Sequence, residues 1–184
     1  MKRLFSLIFA VILVIAFAAC GKKDDTSKDG GIDLEYYAEL GSIPECEYSL
    51  GQDIATLKAE LEELYNTEEE AVYNFVQKDD YAEIDSLGFQ YYYLNDKESE
   101  GVSYIVALDK AFGFNPNTVS VEITDAFKGY DYTEEALNDK NSFFILGAAE
   151  GKVIKYKFKK NTVSFVFIND ALFATAIYKT GDWE

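Results

Sequence analysis

The chain has 184 residues, 33 Asp and Glu against 17 Lys and Arg, a formal net charge of −16, no histidine and two cysteines. The missing imidazole excludes Ser-His-Asp and Cys-His catalysis, His-ligated zinc and imidazole pH switching. The negative charge argues against nucleic acid as a partner, while 14 Tyr, 14 Phe and a 48% hydrophobic content mark a folded protein rather than a disordered acidic one.

Met1-Lys2-Arg3 is followed by an apolar run from Leu4 to Ala19, broken only by Ser6, and then by Cys20-Gly21-Lys22-Lys23. A basic start, a short hydrophobic stretch and small residues before a cut site are the parts of a secretory signal. The run is shorter than the roughly 20 residues that a spanning helix needs. With Ala18-Ala19 directly before Cys20, and Phe17 where a leucine is usual, the segment resembles the lipobox of bacterial lipoproteins. That resemblance implies cleavage before Cys20 by signal peptidase II, a diacylglycerol thioether on its sulfur and an N-acyl group such as palmitate. The expected location is the extracytoplasmic face of the cell membrane, with the membrane itself as one partner through the lipid anchor.

Loss of residues 1–19 takes Lys2 and Arg3 with it. It leaves 15 lysines and no arginine against 33 acids, a formal charge of −18 over 165 residues. Without arginine the chain lacks the bidentate fork that usually captures phosphates and carboxylates. Lipidation of Cys20 would leave Cys46 without an intramolecular partner, between Glu45 and Glu47, where neighbouring charge blunts a thiolate.

Residues 20–42 are charged, rich in Gly and Ser and poor in apolar groups up to Ile32, the composition of a tether. Asp25, Ser27, Asp29, Gly30, Ile32 and Asp33 fall at calcium-loop spacing, but Tyr36 stands where the closing bidentate acid belongs, so no metal or other cofactor is expected. After Ile43, Ser49 and Gln52 stand at capping-box spacing. Ile54, Leu57, Leu61 and Leu64 then recur at helical intervals, predicting a helix over 51–65. Thr67 and Glu70 predict a second, short helix reaching about Val76.

The period then becomes two. Gly88–Leu94 and Val102–Leu108 predict an antiparallel hairpin across the polar Asn95–Gly101. Thr118 is placed to cap a helix that puts Val119, Ile123, Ala126, Phe127 and Tyr130 on one face. Four strands follow, at Ser142–Leu146, Val153–Lys159, Thr162–Ile168 and Leu172–Lys179.

This order predicts an α+β chain of two helix-then-antiparallel-meander units, 43–114 and 115–184, with the helices packed on one face of a sheet. It is similar in order of elements to the tandem helix–sheet units of the β-lactamase-inhibitor-like fold and to the small outer-membrane assembly lipoproteins of the SmpA/OmlA family. Three groups of residues are candidates for function. Tyr91 and Tyr93, with Tyr104, offer an aromatic surface for sugars or peptides, against a core-packing alternative for at least one side of the strand. Lys155, Lys157 and Lys159 alternate with Ile154, Tyr156 and Phe158, giving a basic ladder for an acidic partner or a solvated face that guards against aggregation. Paired carboxylates are the remaining acid–base option. The expected function is a lipid-anchored, non-catalytic envelope protein that binds an unidentified protein or envelope glycan. Substrate capture by surface tyrosines and inhibition of a secreted hydrolase are the alternatives.

Overall fold

The computed structural model describes residues 31–67, 73–86, 88–138, 141, 143–145 and 150–183. The signal segment and Cys20 lie outside them, as does the calcium-like run up to Gly30. From Ile32 onward the chain forms one compact unit.

Helix α1, Leu34–Leu40, begins at Asp33, whose Oδ1 accepts the Tyr36 N–H at 3.0 Å. It ends at Gly41, whose left-handed φ of 70° lets its N–H reach back to the Ala38 carbonyl. Leu34 and Ala38, one turn apart, are buried, and the buried Asn161 amide donates to the Ala38 carbonyl at 2.7 Å. The segment read as the end of a tether therefore carries a packed helix. With seven residues and only Leu34 and Ala38 buried, it is too short to show a helical period in the sequence. Helix α2, Ile54–Thr67, is capped by Asp53, which accepts from both the Thr56 N–H (2.8 Å) and its hydroxyl (2.7 Å). Its buried residues Ile54, Leu57 and Leu61 keep the helical spacing. The short helix α3 is Ser120–Ala126.

The strands are β1 Asn74–Gln77, β2 Tyr81–Ser86, β3 Phe89–Leu94, β4 Tyr104–Ala107, β5 Thr133–Ala136, β6 Gly151–Lys157, β7 Asn161–Ile168 and β8 Ala171–Lys179. They form one sheet in the order β1-β2-β3-β4-β8-β7-β6-β5, with every neighbouring pair antiparallel. This corrects the expected α+β architecture of two helix-then-meander units. The chain is mainly one eight-stranded antiparallel sheet, and the sheet runs across the expected boundary at 114/115. The reason lies in β4 and β8. All four residues of β4 are buried, as are Ala174–Tyr178 of β8. Strands apolar on both faces are poor edges, and each becomes the other's neighbour through Tyr104–Tyr178, Ile105–Ile177, Val106–Ala176 and Ala107–Thr175.

Other elements also differ. Of the second predicted helix, 68–72 lie outside the described residues and Asn74–Gln77 is the strand β1. Of the predicted strand Ser142–Leu146, Phe143–Ile145 are described and are not a strand. The strands β2 and β5 have no counterpart among the predicted elements, because acids occupy much of each.

One face of the sheet carries Ala82, Ile84, Tyr91, Tyr93, Ile105, Phe165 and Ile177, packed against Leu34, Leu57, Leu61 and Ile123 of the three helices. The opposite face carries Tyr92, Tyr104, Val106, Val153, Val166, Ala174, Ala176 and Tyr178.

Candidate functional site

The residues singled out in the sequence separate onto two faces. Tyr91 and Tyr93, each 3% exposed, sit in the helix-side core. The Tyr91 hydroxyl lies 3.4 Å from Cys46 Sγ, and the Tyr93 hydroxyl accepts from Lys58 Nζ at 3.2 Å. Burial pushes the Cys46 thiol and the Tyr91 phenol upward, so the thiol is held protonated. Tyr104 is on the other face but is also 3% exposed. The three tyrosines thus share no surface, and all three pack in the core, as the core-packing alternative has it. Strand alternation is the cause: Tyr92, not its neighbours, shares the face of Tyr104.

The lysine ladder is divided as well. Lys155 is 6% exposed and donates to Glu135 Oε2 at 2.8 Å across the β5–β6 pair, which holds the Glu135 carboxyl below its usual range. Lys157 is exposed on the same face, while Lys159 is an exposed residue of the bend after β6. One lysine of the three belongs to the interior.

On this second face the sheet is covered unevenly. Leu137, Phe143, Phe144, Ile145 and Trp183 pack over its centre. The Phe143 and Trp183 rings stack at 4.9 Å, and Trp183 Nε1 donates to Ser103 Oγ at 3.1 Å. Phe143 lies 5.0 Å from Tyr92 and 5.1 Å from Tyr104, both edge-to-face. Over β3 and β2 this cover thins: Phe143 and Trp183 reach Tyr92 and Tyr81, and among the described residues no ring contact goes beyond them. There Tyr81, Glu83, Asp85, Gln90 and Val76 are half-buried and Asn74 is exposed. Register places Glu83 between Val76 and Tyr92, and Asp85 between Asn74 and Gln90.

These side chains form a connected polar row. The Tyr92 hydroxyl donates to Gln90 Oε1 at 3.0 Å, and Gln90 Nε2 donates to Glu83 Oε1 at 3.4 Å. Tyr81 stands at the rim, its ring 6.0 Å from Trp183. Partial burial pushes the Glu83 carboxyl up, and the charge of Asp85 adds to that. Lys78 offsets the rise only in part. Burial alone pushes Asp85 up. Among the described residues neither carboxylate has a lysine at ion-pairing distance. Two half-desolvated anions beside aromatic edges and faces are suited to receive a cation or a donor-rich group. The sequence does carry a signal for this site. Residues 81–86 alternate Tyr, Glu and Asp with Ala, Ile and Ser, a period of two masked by the acids around it.

A second polar place, a shallow cavity of about 510 Å³, is lined by Ser120, Glu150, Gly151, Lys152, Asn169 and Asp170. Its charges largely satisfy one another. Ser120 Oγ donates to Asp170 at 2.6 Å, and Lys152 Nζ lies 3.4 Å from both Asp170 and Glu134. Among the described residues the row on β2–β3 has no ion pair of this kind, and it is the better candidate. No family model, curated protein or solved structure matches the chain.

Proposed function

We propose that this chain is a lipid-anchored, extracytoplasmic protein of the bacterial cell envelope that binds a protein partner on the open half of its sheet. Support for the anchor is the order of Met1-Lys2-Arg3, the apolar run to Ala19 and Cys20. Support for binding is one observation: Glu83 and Asp85 lie side by side, half-buried and without a cation at ion-pairing distance among the described residues, next to Tyr81 and Tyr92. In the free protein that partial desolvation opposes ionisation. A partner supplying positive charge would convert it into attraction and specificity. A protein partner suits this flat, wide surface better than a small ligand, which favours a concave and more enclosed site.

The test is site-specific photo-crosslinking in intact cells, with the reactive residue at position 90 and a control at position 125 on α3. A discrete protein adduct from position 90 and none from position 125 is expected. Absence of any adduct at position 90 would refute the binding reading. The anchor is tested separately by Cys20→Ala, which should abolish lipid labelling and membrane retention; retention equal to the wild type would sink it.

A further inference from the structure

The sheet has two edges, and they are guarded differently. On β5 the edge carries Glu134 and Glu135, tied to Lys152 and Lys155 of the neighbouring strand. Charges on an edge strand are a standard protection against unwanted pairing. The other edge, β1, reads Asn74-Phe75-Val76-Gln77 and carries no charge; only Val76 of the four is not exposed.

The backbone of β1 can be assigned by alternation. Lys78 N donates to the Tyr81 carbonyl at 2.9 Å, continuing the β1–β2 ladder beyond Gln77. In an antiparallel pair hydrogen-bonded positions alternate, so Val76 and Asn74 turn their amides and carbonyls toward β2. Phe75 and Gln77 turn theirs outward, and among the described residues no backbone group meets them.

The surroundings differ between the two faces of this edge. On the face away from the helices, Asn74 and Val76 of the edge strand stand directly beside Asp85 and Glu83, their register partners. A strand added beyond β1 would lie two strand spacings, about 10 Å, from those carboxylates, a gap that a lysine and an acidic side chain together span. On the helix side, Lys58 Nζ stands 3.8 Å above the Phe75 ring and would repel a second cation there.

We propose that β1 is a docking edge that takes an extended segment of a partner protein as a ninth antiparallel strand, with lysines or arginines at every second position of that segment. This rests on the binding reading above and names the partner's chemistry. The outward groups of Phe75 and Gln77 supply the main-chain ladder. Glu83 and Asp85 select the cations on one face, and Phe75 and Lys58 demand apolar residues on the other. A second copy of this chain is a poorer occupant, because two molecules of net charge −16 repel each other.

The test uses the full-length chain in detergent and an octapeptide of alternating valine and lysine as the probe. Binding at least tenfold tighter than that of the alternating valine–glutamate peptide is expected. Amide exchange at Phe75 and Gln77 should slow at least fivefold on saturation. Gln77→Pro removes one outward N–H and should weaken binding tenfold. The same peptide methylated on alternate backbone nitrogens should fail on the unmodified protein, a check that needs no variant to fold. Absence of binding at millimolar peptide, equal binding by the methylated peptide, or binding without protection of these two amides would each overturn the docking edge. Protection that appears with protein concentration alone, together with a dimer in sedimentation, would replace the partner with a second copy. An adduct at position 90 in cells would leave the binding reading standing in all of these cases.

Discussion

Tyr104 and Tyr178 stack across the β4–β8 seam, with ring centroids 4.8 Å apart and planes 3° from parallel. They are register partners, and theirs is the strand pair that joins β1–β4 to β5–β8. Both are nearly fully buried. Tyr178→Ala should therefore destabilise the protein by about 3–5 kcal/mol, the range for deleting a buried aromatic ring. Because the seam belongs to one continuous sheet, the loss should appear in a single transition. Urea unfolding followed by far-UV circular dichroism and by Trp183 fluorescence would test this. Two separated transitions would mean that the halves of the sheet unfold independently.

The open carboxylates give stability a pH dependence of defined sign. Glu83 and Asp85 have raised values in the folded protein, so the folded state holds protons more tightly than the unfolded one. Stability from these two groups is then fully present below ordinary carboxylate values near 4, and falls as pH rises through the raised folded values. Both groups are half-exposed, and solvent screening limits the effect to about 1 kcal/mol. The double variant Glu83→Gln, Asp85→Asn should be more stable than the wild type at pH 7, with the advantage fading toward pH 4. Thermal melts of both proteins at several pH values would check it. On the proposed binding role, the same variant should also lose partner capture.

Legibility in the sequence follows how each segment achieves its burial. Ile54, Leu57 and Leu61 announce α2 because one helix face is apolar and the other charged. The strands β6, β7 and β8 are long and rich in branched and aromatic residues, so their positions can be read within two residues. What cannot be read is partnership. Nothing local in Tyr104-Ile105-Val106-Ala107 says that β8, some seventy residues later, lies beside it. The candidate site is hidden for a related reason. Tyr91 and Tyr93 attract notice as aromatics, yet their alternate positions face the helices. Glu83 and Asp85, by contrast, lie in a stretch with no predicted element, and only the register with Tyr92 and Gln90 places them on the face away from the helices.

Lys155 and Glu135 are an unequal pair, and removing either partner should have different consequences. Lys155 keeps 7% of its side-chain exposure and Glu135 keeps 41%. Glu135→Gln leaves an ammonium in the interior without its counter-charge and should cost about 2 kcal/mol. Lys155→Met removes the buried charge itself, and the carboxylate left behind can turn to water. Its effect should lie within about 1 kcal/mol of zero. Guanidinium denaturation of the two single variants at pH 7 would reveal the asymmetry. Acid works against this pair, opposite to its effect at Glu83. The lowered Glu135 value means that its contribution is present above the ordinary carboxylate range and is lost as pH falls through the folded value.

Gly101 holds the loop before α2 against the sheet, and no larger residue fits there. Its φ of 75° and ψ of −162° belong to a region that side-chain-bearing residues avoid. A Cβ at this position would run into the carbonyl oxygens of Gly51 and Gln52. The surrounding backbone is also committed: Gly51 N donates to the Val102 carbonyl at 2.7 Å, and Val102 N donates to the Gln52 carbonyl at 3.0 Å. Gly101→Ala must therefore strain its own backbone and push apart a two-bond bridge, and it should destabilise by more than about 2 kcal/mol. Across the bridge, Gly51 has a φ of 85° but no atom within 4 Å of where a methyl would stand, so Gly51→Ala meets the backbone penalty alone. Comparing the two variants by urea midpoint separates conformational strain from collision, and a Gly51→Ala loss equal to that of Gly101→Ala would count against the steric account.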